Sequence, residues 1–321
     1  MTKIYDFKEI ETAPFVFYSG DAGAKIAMIH DNSIWMLKFP KSTRDLEKPN
    51  VSYTTSPLSE FLGSQIYASL DLPTHDTLLG IAQDRKGQSK LVVACRDFTR
   101  SIAPNGVVQE NARLIPFHDL KNEFMLDDVE AYSGTGSSTP IDEVLATIRG
   151  QSLLAKIPNT EERFWDMFVI DAFIGNNDRN NNNWGIIVDT NRNIELAPVF
   201  DNGNAFFNKR SIQQMEERFT NEKHMIEDAC ANPLSIYRYA QSDGIGPQIK
   251  PFAFMQANPP TECTAAMERF AEQVNIGKIK KIINDIPETM GILSIMPETQ
   301  KRFYNEILNI RYEQILKNIK K

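Results

Sequence analysis

The sequence predicts an α+β protein, arranged as two domains or as one unit of two lobes, and three observations predict it. Apolar runs of strand length, separated by polar turns, crowd the N-terminal part of the chain, with one amphipathic helix among them. Beyond Asp201 the pattern turns helical to the C-terminus. Between these parts, residues 164–207 read as a buried helix, a short polar loop and a β-hairpin that ends on an acid. A chain of 321 residues is also long enough to bury a large core.

Taken in order, residues 1–15 are mixed and read as an edge strand or an arm. Gly20, Asp21, Ala22 and Gly23 then lead into a strand. Glycines there let backbone amides turn towards phosphate oxygens, as a nucleotide loop requires. An ordinary turn has the same composition, and it is the following hairpin, 25–30 and 33–39 joined at Asp31 and Asn32, that favours the phosphate loop. Lys38 sits between Leu37 and Phe39 in the second strand. It belongs either to the solvent side of the alternation or, in a nucleotide-dependent phosphotransferase, to the α/β-phosphates. Residues 41–55 are polar, contain Pro49 and read as a loop. A helix follows, with Ser56 as N-cap and Pro57 in the first turn. Leu58, Phe61, Leu62, Ile66 and Leu70 form its apolar face. Glu60 lies almost opposite, either as a solvated charge or as the partner of Lys38 across a cleft.

Residues 76–81 and 91–94 read as strands around the polar turn 83–89, the second running into Cys95, Arg96, Asp97 and Phe98. Two moderately helical stretches, 117–131 and 141–148, flank a Ser/Thr/Gly-rich linker at 133–140. The helix 164–174 carries apolar residues on several sides, which predicts burial nearly all round, and Gly175 is a natural stop for it. Asp171 on this helix reads as an anchor for loop amides or as a partly exposed acid. The loop 176–183 packs one Asp, one Arg and six Asn into eight positions. Strands 184–188 and 194–200 then enclose a polar turn, and Asp201 closes the second. Segments 213–228, 264–276 and 298–320 have helical spacing, the last with an early Glu298 and late lysines that suit the helix dipole.

The chemistry these residues suggest is phosphoryl transfer, which depends on positioning and charge more than on covalent help. Asp178, five residues ahead of Asn183, has the Asp-x-x-x-x-Asn spacing of a kinase catalytic loop, and Asp201 stands where kinases place a second, metal-binding acid. An amide oxygen and a carboxylate are the hard donors that Mg²⁺ prefers. Arg179 either braces the loop through an ion pair or is solvated.

G-N-N-D-R-N-N-N-N-W-G followed by P-V-F-D-N-G resembles the catalytic core of the HipA-like serine/threonine kinases. The upstream K-I-A-M-I-H-D-N-S-I-W-M-L-K-F-P, S-E-F, T-L-L-G and V-V-A-C-R-D-F extend the likeness. It is greatest to the compact, CtkA-type branch of cell-translocating kinases, and covers residues 15–100 and 160–207 with a weaker match in the helical tail. The resemblance implies a two-lobed, protein-kinase-like fold, with residues 1–97 as a sheet-rich N-lobe, 98–321 as a helical C-lobe and ATP between them. It gives Asp178 the substrate hydroxyl, Asn183 and Asp201 the Mg²⁺, and Lys38, paired with Glu60, the phosphates. It places the adenine-binding hinge at Cys95, Arg96, Asp97 and Phe98, and makes Ser19, beside the glycine loop, a candidate autophosphorylation site. One departure stands out: the family loop reads Asp-x-His-x-x-Asn, whereas the middle position here is Asn180.

The resemblance further implies a protein substrate bearing Ser or Thr. It also implies either a toxin-type enzyme with an antitoxin or other partner protein, or an effector delivered from a bacterial cytoplasm into a host cell. The expectation is of a short member of the family, without the additional N-terminal subdomain of the larger relatives. A net charge of −7 and a pI near 5.3 argue against a nucleic-acid or anionic-membrane binder, and no apolar run spans a bilayer. Cys95, Cys230 and Cys263 form no C-x-x-C and suit reduced, buried thiols; His30, His75, His118 and His224 are scattered singly without metal-ligand spacing. Two other function classes share these residues. A pseudokinase would keep the fold without turnover, with Asn180 as its one support, and a small-molecule phosphotransferase would share the Asp-x-x-x-x-Asn logic but carry His-x-Asp ahead of its Asn. The spacing of an EF-hand calcium loop is absent.

Overall fold

The N-terminal arm gives a strand to each edge of one sheet, β1 (Tyr5–Asp6) and β2 (Glu11–Thr12), and buries the intervening Phe7. The computed structural model describes residues 1–13, 15–18, 24–44, 51–125, 139–241 and 244–320. Next comes the expected hairpin, β3 (Lys25–His30) and β4 (Ser33–Lys38). Asp31 and Asn32 take φ of 46° and 53°, the left-handed pair that a two-residue hairpin turn needs and that short polar side chains tolerate. After α1 (Ser56–Ser69), strands β5 (Thr77–Gln83) and β6 (Ser89–Arg96) complete a six-stranded sheet of order β1-β5-β6-β4-β3-β2. It is antiparallel except where β1 lies beside β5.

One expectation for α1 changes. Ser56 is the first helical residue rather than the cap, because its hydroxyl accepts from Thr54 at 2.9 Å instead of capping the helix amides. The side of the helix opposite its apolar face is also buried: Ser59, Glu60, Gly63 and Ser64 pack against residues 202–205. Gly63 permits that approach, since a Cβ there would lie 2.5 Å from the Cβ of Asn202.

Strands β7 (Arg100–Ile102), β8 (Val108–Glu110) and β9 (Ala112–Pro116) occupy a region without strand signals, being short and half polar. Helices α2 (Phe117–Phe124) and α3 (Ile141–Gly150) match the two helical stretches. The end of the first stretch and most of the 133–140 linker lie outside the described residues. Helix α4 (Thr160–Ile174) is buried from Met167 to its end, and Gly175, with φ of 73°, stops it. β10 (Gly185–Asp189) and β11 (Ile194–Leu196) form the expected hairpin, and β9 adds to it. The second strand ends at Leu196 rather than at residue 200. Pro198 has no N–H for the ladder, and Val199 turns away to pair with Pro73 and His75.

The single helix expected at 213–228 is α5 (Ile212–Arg218), α6 (Glu222–Ile226) and a π-helical turn, Glu227–Ala231, with Asn221 capping α6. A hairpin, β12 (Arg238–Gln241) and β13 (Gly244–Gln248), and α7 (Pro251–Gln256) follow. The 264–276 stretch is α8 (Thr261–Gln273), separated from α9 (Ile276–Asn284) by the capping Asn275. β14 (Thr289–Met290), β15 (Leu293–Ser294) and α10 (Glu298–Ile319) end the chain. One large apolar core joins α1, one face of the sheet at Leu79, Ile81 and Val93, and the C-terminal helices; Met28, Trp35, Leu37 and Val92 form a second cluster on the other face, with Phe7. The three cysteines are free, and among the described residues no helix is long and apolar enough to cross a membrane.

Candidate active site

The loop after α4 is built around Arg179, which is only 3% exposed. Its Nε and Nη2 donate to the carboxylate of Asp171 at 2.9 and 3.1 Å, its Nη1 to the carbonyls of Asn183 (3.1 Å) and Phe200, and its Nη2 also to Asn202 Oδ1 at 2.6 Å. One guanidinium therefore ties helix α4, the end of the loop and the segment around Asp201. Burial disfavours its charge, but Asp171 more than offsets this and holds its pKa above the usual arginine value. Asp171 also accepts from Tyr67 Oη (2.8 Å) and Asn176 Nδ2 (3.1 Å), so it anchors the loop as the sequence suggests. Of the two readings of Arg179, the brace is the one observed.

Asp178 is half-buried in this loop. Its Oδ1 accepts from Asn180 Nδ2 at 3.0 Å, its Oδ2 from Asn204 Nδ2 at 2.6 Å, and its carbonyl from Asn183 Nδ2 at 2.7 Å. Asn180 thus supplies from within the loop a donor to the carboxylate it flanks. Asn204 is a site residue that sequence reasoning missed; its only signal is its place three residues after Asp201.

A second cluster closes on Lys38. Its Nζ lies 3.0 Å from Glu60 Oε2 and 3.1 Å from Asp201 Oδ1. The other oxygen of Glu60 accepts from the backbone N–H of Asn202 at 3.1 Å and meets His75 Nε2 at 3.0 Å. Glu60 is 1% exposed, so the solvated alternative is replaced by the Lys38 pair. Burial pushes its pKa up, but Lys38 and His75 win and hold it far below the usual carboxylate range. Burial likewise opposes the charge on Lys38, and Asp201 and Glu60 reverse the effect and raise its pKa. His75, given no role from its isolated position in the sequence, is the buried partner of this glutamate. The Cys95 thiol lies beside the same cluster, pushed far up in pKa by burial, so it stays protonated.

The other expected residues are dispersed. Arg96 points to Asp76 at the surface (3.1 Å), and Phe98 packs against Phe200 with ring centroids 5.8 Å apart. Asp97 accepts from Tyr18 Oη (2.7 Å), Arg100 Nη1 (2.9 Å), and the N–H and hydroxyl of Thr99. Ser19, Gly20, Asp21, Ala22 and Gly23 lie outside the described residues.

The donors fit a hard cation. Asn183 uses its amide nitrogen on Asp178, leaving Oδ1 without a hydrogen bond among the described residues. Asp201 gives one oxygen to Lys38, keeps Oδ2 unbonded among them, and remains 33% exposed. An amide oxygen and a carboxylate oxygen thus remain available, both hard donors of the kind Mg²⁺ takes. Asp201 has φ of 59°, a left-handed conformation that turns the chain towards Lys38.

This geometry can be compared with known proteins. The chain is 29% identical over 316 residues to the serine/threonine-protein kinase CtkA of Helicobacter pylori strain J99, covering 97% of this chain and 86% of that protein. It superposes on the crystal structure described as a Helicobacter pylori proinflammatory kinase, CtkA, with a TM-score of 0.83 and 28% identity. That match covers 99% of this chain and 96% of the other. A Shewanella oneidensis HipA, solved with HipB and operator DNA, aligns at 13% identity and a TM-score of 0.49, over 95% of this chain and 67% of that one. Residues 19–290 match the family model for the HipA-like C-terminal domain, and the chain belongs to that family.

Proposed function

We infer that the protein is an ATP-dependent serine/threonine protein kinase. The observation that carries this is the pairing of two clusters on one turn of chain: Lys38 on Asp201 and Glu60, and Asp178 on Asn204, three residues after Asp201. Lys38 would hold the α/β-phosphates, since it is a charged group fixed at the edge of the cleft by two acids. Asp178 would accept a hydrogen bond from the incoming hydroxyl and later take its proton, oriented by Asn180 and Asn204. Asn183 and Asp201 would hold Mg²⁺, which when bound neutralises charge on the phosphate oxygens. Arg179 would be a positioning residue: its hydrogen bonds go to Asp171, Asn202 and the carbonyls of Asn183 and Phe200, which sets the spacing of the loop and the Asp201 turn. The nucleotide would lie between residues 1–97 and 98–321, with the glycine loop over its phosphates and residues 95–98 beside the adenine. The acceptor is a protein Ser or Thr, and Ser19 is the first candidate for self-phosphorylation.

Incubation with Mg²⁺ and γ-labelled ATP tests this beside Asp178→Ala and Asp201→Ala. Label on the wild type, falling by at least about 10²-fold in both variants, is the expected outcome. Freshly dephosphorylated wild type that binds ATP yet transfers no label to itself or to a panel of protein acceptors would overturn it.

A further inference from the structure

Beneath the catalytic loop lies a cavity of about 520 Å³, walled in part by Asn176, Asn177, Asn204, Phe207, Lys209 and Arg311. Its charges do not balance. Asp171 and Asp228 line it and are engaged by Arg179 and Arg210, which leaves Lys209 and Arg311 as two positive charges in excess, in a chain whose net charge is −7. Lys209 is exposed and has no ion pair among the described residues. Arg311 is 1% exposed, yet its guanidinium bonds only backbone carbonyls, Ala229 O at 2.9 Å and Phe173 O at 3.1 Å. No carboxylate bonds it among the described residues.

A buried cation that bonds no carboxylate is costly, and burial draws the Arg311 pKa down to about 10, with the charge of Asp228, itself held by Arg210, only partly offsetting it. The surroundings nonetheless hold it in place. Gly175 makes room, since a Cβ there would lie 2.7 Å from Nη1, and the Phe207 ring lies 5.3 Å from the Arg311 guanidinium and 4.5 Å from that of Arg210. The wall is also joined to the chemistry: Asn204 donates to Asp178 Oδ2 at 2.6 Å and accepts from Asn208 at 3.1 Å.

We propose that this cavity is an acceptor subsite that takes an anionic side chain, a phosphoserine or a carboxylate, of the protein being phosphorylated, with Arg311 and Lys209 as its cationic partners. The identity of the bound chain rests on the kinase reading; the anion site itself does not. An entering anion supplies the directly bonded acid that Arg311 does not have among the described residues, and charge-assisted hydrogen bonds from a guanidinium are the strong ones. Acceptors carrying an acidic or phosphorylated residue near the target hydroxyl are then favoured.

The test is calorimetric titration of N-acetyl-phosphoserine amide, N-acetyl-glutamate amide and neutral N-acetyl-glutamine amide into the full chain without nucleotide. Saturable binding of phosphoserine alone, or of both anions, with the neutral amide silent, is expected; the first result assigns a phosphorylated acceptor and the second an acidic one. Arg311→Gln should weaken binding at least about tenfold. Because that change risks the fold, the exposed Lys209→Glu is measured beside it and should also weaken binding several-fold. Absence of binding to the folded wild type, or affinities unchanged in Lys209→Glu, would overturn the proposal. Label transfer without anion binding sinks the subsite alone, whereas anion binding without label transfer sinks the kinase and leaves the site.

Discussion

Glu60 keeps its charge in a nearly waterless position because three donors meet its two oxygens: Lys38, His75 and the N–H of Asn202. A carboxylate whose folded pKa is depressed stabilises the fold above its ordinary value of 4.5 and loses that contribution as pH falls through the folded value. Stability should therefore fall as pH drops below 4.5. In Glu60→Gln, whose side chain does not titrate, the fall should be shallower; denaturant unfolding from pH 7 to pH 3 checks this, and parallel curves would refute it. Asn180 illustrates the same scale. The resemblance leads to an expected histidine at that position, and the Asn180 amide nitrogen, 3.0 Å from Asp178 Oδ1, provides a donor there.

At the scale of elements, α4, the 176–183 loop and the Asp201 turn are separate pieces held by one buried arginine. Removing it strands Asp171, 6% exposed, as an uncompensated charge. Arg179→Met should lower the unfolding free energy by about 3–5 kcal/mol, measured by urea titration. Adding Asp171→Asn to that variant should recover part of the loss, because the stranded charge is gone. Helix α1 makes the complementary point. Its Leu58, Leu62 and Ile66 face is plain from periodicity, whereas the burial of Ser59, Gly63 and Ser64 against residues 202–205 has no local signal. Short strands such as β7 and β8 left no trace because three residues are too few for a period of two to show.

Over the whole molecule, the pairing of Lys38 with Asp201 joins groups 163 positions apart. A nucleotide held by both should stabilise the fold by mass action, about 2.7 kcal/mol at a hundred times its dissociation constant. Thermal unfolding should rise with ATP and Mg²⁺ together, rise much less with ATP and EDTA, and not rise in Lys38→Met; equal shifts with and without the metal would contradict the assignment of Asn183 and Asp201. The sequence by itself determined the α+β class, the buried helix with its Gly175 stop, the Asp31-Asn32 turn and the Asp178, Asn183 and Asp201 spacing. Each of these is written in residues close along the chain, through periodicity, backbone φ or loop length. Only the tertiary structure decided that Glu60 faces inward, that His75 and Asn204 join the candidate site, that Arg179 is a brace and that Arg311 bonds no acid among the described residues. A charge finds its partner through packing, and the partners here lie 8 to 163 positions away, where local pattern carries no information.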